Sequence, residues 1–320
     1  QQGIAYMKGM QDNGIMATAK HFPGHGDVNV DSHYDLPVIN KSKAELDSLE
    51  LVPFKALIDA GIESIMVAHL SVPAIDDRPK YATSISPNAV NGLLKKELGF
   101  KGISVTDAMD MKAIANYFPQ GEANVQAILA GNDMLCLPGD LGQSIQKIRS
   151  AIKERRLKRS DINARVKKIL TAKYKYGLNI PQQIDTNNIV ADLNQSVGTI
   201  NAEMAQQSLT FLRATNSPVL NNKTAYIAFN AKSANAFTSS IASTYGVKVF
   251  YTSGKDASEL AMINDSLKAY DQVLVGLHGY SRRPANHFEI PAATLQFLNE
   301  NGHEHWIHLI FGNPYAVGDF

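Results

Sequence analysis

Four short apolar runs, near residues 15–20, 64–68, 102–106 and 133–137, alternate with helix-like segments through the first 180 residues. Each run ends in polar or titratable groups: Lys20 and His21, then His69, then Asp107, then Pro138-Gly139-Asp140. Apolar strands separated by helices read as a parallel sheet, buried on both faces. Titratable residues at the carboxyl ends of such strands are what the active face of a (β/α)8 barrel requires. Four strands are half a barrel, and a complete four-stranded α/β sheet satisfies the same periodicity. The helices carry their own signals. Ser42 with Glu45 is a capping-box pattern opening a helix to about Ala60. Ser86-Pro87 opens another, running to Leu98. Helices near 122–130, 141–155 and 161–176 follow, the last with Ser160 as its expected cap and Gly177 as its stop.

The polar, irregular stretch 181–200 reads as a linker. Beyond it a helix is expected near 201–212. Strands near 225–229, 248–251, 272–277 and 306–311 then alternate with helices near 233–244, 256–269 and 291–300. The expected domains are therefore 1–180, a linker at 181–200, and a second α/β domain with a parallel sheet at 201–320. A length of 320 residues suits two domains. With 31 basic against 30 acidic residues, nothing points to nucleic acid or an anionic membrane as partner. No apolar run approaches the ~18 residues of a membrane span. The single cysteine, Cys136, excludes an internal disulfide, and its apolar neighbours predict a packed thiol. The opening QQGIAYMKGMQDNG reads as the second half of a helix ending at Gly14, and both ends of the chain are expected to be cut. The compartment is left open.

The densest chemistry lies in KHFPGHGDVNVDSHYDLP, residues 20–37, where three His and three Asp share a loop with Gly24 and Gly26. In Asp31-Ser32-His33 a carboxylate can fold onto the imidazole, fix its tautomer and raise its pKa, leaving the other nitrogen to move a proton. The same pair can also only tie the loop down. Asp107 can be a nucleophile or stabilise a cationic transition state, or it can cap the helix through Met111 and Ile114, as Asp110 also can. Lys20 and His21 offer donors to ligand hydroxyls. His69 can line the same cleft or be a hydrogen-bonded barrel histidine. His21, His25, Asp27, Asp31 and His33 are conceivable metal ligands, but their spacing matches no zinc pattern.

The stretch 20–37, together with MVAHLSVPAID (66–76), ELGFKGISVTDAMDMKAI (97–114) and AGNDMLCLP (130–138), resembles family 3 glycoside hydrolases of the β-N-acetylglucosaminidase branch. INAEMAQQSLTFLR (200–213) resembles the start of that family's second domain. The resemblance implies the C-terminal half of a (β/α)8 TIM barrel, strands five to eight, followed by a truncated α/β sandwich. It implies Asp107 as nucleophile, His33 as general acid/base with Asp31 as dyad partner, and Lys20 and His21 as ligands of sugar hydroxyls. His69 matches a histidine of the same cleft. No cofactor and no metal are implied. The partner would be a small carbohydrate, a terminal β-linked N-acetylglucosaminide from cell-wall muropeptides or chitin-type saccharides. Arg and Asp residues with which the family holds the sugar would lie in earlier strands that this chain lacks. A histidine acid/base carries no negative charge after giving up its proton, so transfer to phosphate is an expected side activity, checked by product analysis with and without phosphate. The alternatives are a β-glucosidase of the same family and a metal-dependent hydrolase built on the His/Asp cluster.

Overall fold

The computed structural model describes residues 1–28, 35–118, 121–181, 183–210, 212, 220–301 and 306–319. They form two compact units, Gln1–Asn187 and Asn188–Phe320.

In the first unit, β1 (Thr18–Phe22), β2 (Ser64–Val67), β3 (Ile103–Ala108) and β4 (Met134–Cys136) make one parallel sheet in sequential order. Every crossover thus steps the same way, and right-handed crossovers then place all connecting helices on one face. The first strand starts later than its apolar run suggests. The Ile15 N–H closes onto the Met10 carbonyl at 3.0 Å, so residues 12–15 are spent ending the helix Gln2–Gln11. Lys20 and His21 consequently lie inside β1 rather than beyond it.

The core under this sheet joins Phe22, Leu46, Leu51, Phe54, Ile65, Val67 and Leu94. The Phe22 and Phe54 rings meet edge to face at 5.3 Å. Each such side chain, fully buried, contributes about 1.5–3 kcal/mol. The Ser42–Glu45 capping box is present, but the single helix expected after it is two, Lys43–Ser48 and Leu51–Asp59. The chain breaks at Leu49–Glu50 because Glu50 turns inward to pair with Lys41. Lys158, not Ser160, precedes the helix Arg159–Lys175. Neither Asp107 nor Asp110 caps a helix, since Lys112–Ala115 starts after Met111. Cys136 is only half-buried, in the last strand of the sheet order.

The second unit holds β5 (Thr224–Phe229), β6 (Lys248–Thr252), β7 (Gln272–His278) and β8 (Trp306–Phe311), parallel, in the order β6-β5-β7-β8. The order reverses at β5, so its helices are expected on both faces. Central β5 is buried along its whole length, as its run Thr-Ala-Tyr-Ile-Ala-Phe requires. The stretch read as an irregular linker is partly helical, at Ile189–Asn194 and from Val197 in Val197–Ser208. Among the described residues, no helix is long and apolar enough to cross a membrane.

Candidate functional site

The carboxyl ends of β1, β2 and β3 bring together His21, His69 and Asp107, with Lys20 preceding His21 on β1. Along β1, Ala19 and Phe22 are buried while Lys20 is exposed and His21 half-buried. The Lys20–His21 and Phe22–Pro23 peptide bonds are cis.

Asp107 sits at the penultimate position of β3 with its side chain 15% exposed. Its Oδ1 accepts a hydrogen bond from the Ala108 N–H at 2.9 Å. Its Oδ2 lies 3.9 Å from His21 Nε2, within ion-pair range but beyond a hydrogen bond. One carboxylate oxygen is therefore committed to the backbone and the other faces the His21 side of the site. The His21 ring in turn lies 5.7 Å from that of His25, edge on.

His69 is placed differently from its neighbours. It follows β2, is fully buried, and uses both ring nitrogens within the protein. Nε2 lies 2.9 Å from the Ala108 carbonyl oxygen and Nδ1 2.7 Å from Ser84 Oγ. A carbonyl only accepts, so Nε2 carries the proton and Nδ1 accepts from the Ser84 hydroxyl. Burial lowers the His69 pKa, against the opposing pull of the Ala108 carbonyl, Asp107 and Asp110.

The loop after β1 is held from below. Gly24 has φ +141°, and a Cβ there would stand 2.7 Å from Glu50 Cβ. Lys41 joins Glu50 to Asp27 of the same loop, at 2.8 Å from Asp27 Oδ2, and hydrogen bonds from Asp27 and Glu50 raise its pKa to about 12. Asp31 and His33, the expected dyad, lie outside the described residues. The next described residue, Asp35, accepts from the Tyr117 hydroxyl at 2.7 Å. Lys80 lies over the Tyr117 ring at 4.9 Å. Tyr117 and the Leu36 N–H hold the Asp35 carboxyl below its ordinary pKa, with Lys80 adding to the effect. Loops following β2 and β3 thus meet the chain just beyond His33.

Sequence reasoning missed Ser84, Ala108, Lys41 and Tyr117. Only Lys41 had a signal, its place beside a capping box. Among the described residues, no group of three or more His, Cys, Asp or Glu side chains is placed to hold a metal ion.

The family model "Glycosyl hydrolase family 3 N terminal domain" matches residues 1–172. A beta-hexosaminidase of Tolumonas auensis is 40% identical over 138 residues, which cover 42% of this chain and 40% of that protein. A beta-N-acetylglucosaminidase/beta-glucosidase of Cellulomonas fimi is 30% identical over 223 residues, covering 66% of this chain and 39% of that protein. The chain thus spans about two fifths of the length of these curated relatives. The solved family 3 beta-N-acetylglucosaminidase of Paenibacillus sp. FPU-7 superposes with a TM-score of 0.72 at 24% identity, covering 99% of this chain and 62% of that one. That last likeness is one of fold.

Proposed function

The chain belongs to glycosyl hydrolase family 3, and from that premise we propose that it forms part of a retaining exo-glycosidase removing terminal β-linked N-acetylglucosamine. In this reading the first unit is the C-terminal half of a (β/α)8 barrel and the second a truncated α/β sandwich. The same-direction stepping of β1 to β4 supports the barrel. So does the helix Arg159–Lys175, which has no buried residue and exposes Val166, Leu170 and Tyr174 along one face. A helix of a complete barrel would bury such a stripe.

The observation that carries the chemistry is the divided Asp107 carboxylate, with Oδ1 held by Ala108 N–H and Oδ2 towards His21. Asp107 Oδ2 attacks the anomeric carbon. As that bond forms, the glycosidic bond breaks, and the leaving oxygen takes a proton from His33. Water then attacks the anomeric carbon, gives its proton to His33, and releases the Asp107 carboxylate. Asp31 holds the His33 tautomer. Lys20 and His21 donate to sugar hydroxyls. His69 supports the cleft from beneath. General rules for glycosidases give a pair of carboxylates, and here a histidine takes the place of one.

The sugar is the acetamido type because the His33 loop resembles that branch, and the names of the relatives agree. The name of the Cellulomonas fimi relative includes beta-glucosidase, which keeps β-glucosides as the second substrate class. Cell-wall muropeptides or chitin-type saccharides are the natural source in this reading.

The test is the Asp107→Ala variant of the whole protein, assayed on p-nitrophenyl β-N-acetylglucosaminide with and without a chelator. Turnover is expected to fall to background in the variant, and wild-type turnover to survive chelation. Turnover retained without the carboxylate would remove Asp107 from its role. Wild-type turnover lost to the chelator would favour the metal-dependent alternative.

A further inference from the structure

We propose that His69 is a positioning residue for Asp107, acting by pinning the Ala108–Met109 peptide one residue beyond it. This rests on the reading of Asp107 as nucleophile. It assigns to a residue beneath the site the task of holding that nucleophile's backbone.

The sheet alone does not hold Asp107 firmly. The β2–β3 ladder runs from Ser64 with Ile103 to Val67 with Thr106 and stops there. On the other side, the β3–β4 register shifts between Val105 and Ala108. Asp107 therefore lies past the end of one ladder and inside an irregularity of the other. The Ala108 carbonyl, half-buried, already accepts from the Met111 N–H at 3.1 Å in the turn that follows.

His69 adds a second donor to that carbonyl. The Ala108–Met109 peptide is gripped on both sides: its carbonyl accepts from His69 Nε2 at 2.9 Å, and its N–H donates to the Cys136 carbonyl at 2.9 Å. The preceding N–H, that of Ala108, holds Asp107 Oδ1. Fixing the peptide on one side of Ala108 thus fixes the donor that orients the carboxylate on the other.

The ring is itself held in the required tautomer. The Ser84 hydroxyl donates to Nδ1, and the Ser84 carbonyl accepts from Asn132 Nδ2 at 2.7 Å. Ser84, Asn132 and His69 are all fully buried. The chain Asn132–Ser84–His69–Ala108 ends one residue from the reacting carboxylate. Its three side chains are removed from solvent, which separates them from the half-exposed His21 and the exposed Lys20. Burial favours the neutral ring, the form that both donates to Ala108 and accepts from Ser84.

The experiment compares wild type, His69→Gln, His69→Leu and Ser84→Ala in the whole protein, on p-nitrophenyl β-N-acetylglucosaminide. Gln retains a donor near the Nε2 position, whereas Leu keeps bulk without one. The expected result for His69→Leu is a kcat loss of about 10- to 100-fold with KM little changed, the scale of a misplaced reacting group. His69→Gln should recover most of that loss. Ser84→Ala should show a smaller loss of the same kind, and it decides the matter if His69→Leu does not fold. The proposal is overturned if kcat per folded molecule is unchanged while melting temperature falls equally in the Gln and Leu variants. That pattern would make His69 a core residue only. It is also overturned if the losses fall on KM, as for a sugar contact. A wild-type protein inactive on the glycoside, or an active Asp107→Ala variant, would instead remove the reading of Asp107 itself.

Discussion

In the proposed mechanism Asp107 and His33 have separable tasks, and separate measurements distinguish them. The nucleophile acts on every substrate, whereas the acid matters only when the leaving oxygen needs a proton. A His33→Ala variant is expected to lose about 10²- to 10⁴-fold in kcat/KM on an unactivated sugar-linked substrate. On p-nitrophenyl glycosides kcat/KM should fall far less, because that parameter ends at the first irreversible step and the phenolate leaves unaided. Equal losses on both would remove His33 from the acid role. At this scale the sequence picks out candidate residues but not how they are held. Asp107 is legible as a carboxylate ending an apolar strand. Its clip to the Ala108 N–H lies beside a register irregularity against β4, which no local pattern encodes. His69 is legible as a strand-end histidine. Its partners stand 15 and 39 residues away, and only the fold reveals that it faces inward.

The loop after β1 is fitted to the helix pair beneath it by backbone contact. Gly24 combines a positive φ with a Cβ position 2.7 Å from Glu50 Cβ, so any side chain there meets both backbone strain and a clash. Gly24→Ala is expected to lower stability by about 1–3 kcal/mol, the usual cost of overpacking. A urea denaturation midpoint checks this, and an unchanged midpoint would contradict the fit. The element level also shows where pattern reading stops. The capping box at Ser42 is a local device and is found where the sequence places it. The break at Leu49–Glu50 answers to Lys41, Asp27 and Gly24, which come from before the helix. Pro23, Gly24 and Gly26 announce a loop, yet nothing in them announces what the loop packs on.

Each described strand overlaps an apolar run visible in the sequence, as strands of a parallel sheet should, although β1 begins later than its run and takes in Lys20 and His21, and β4 and β8 are only partly buried. Their order is a different matter. Sequential stepping in the first unit and reversal in the second decide which faces receive helices, and apolar runs carry no such information. The boundary between the units, at Asn187–Asn188, falls within the stretch read as a linker. Its helix at Ile189–Asn194 was hidden by the polar composition around it, whereas Val197–Ser208 overlaps the helix expected near 201–212 and begins four residues earlier. The family assignment covers residues 1–172, and the substrate is the part of the reading that the whole protein must decide. The most direct comparison is of kcat/KM for p-nitrophenyl β-N-acetylglucosaminide and the matching β-glucoside with the whole protein. A clear preference for the acetamido sugar is expected. A preference for the glucoside would contradict the assignment to the N-acetylglucosaminidase branch.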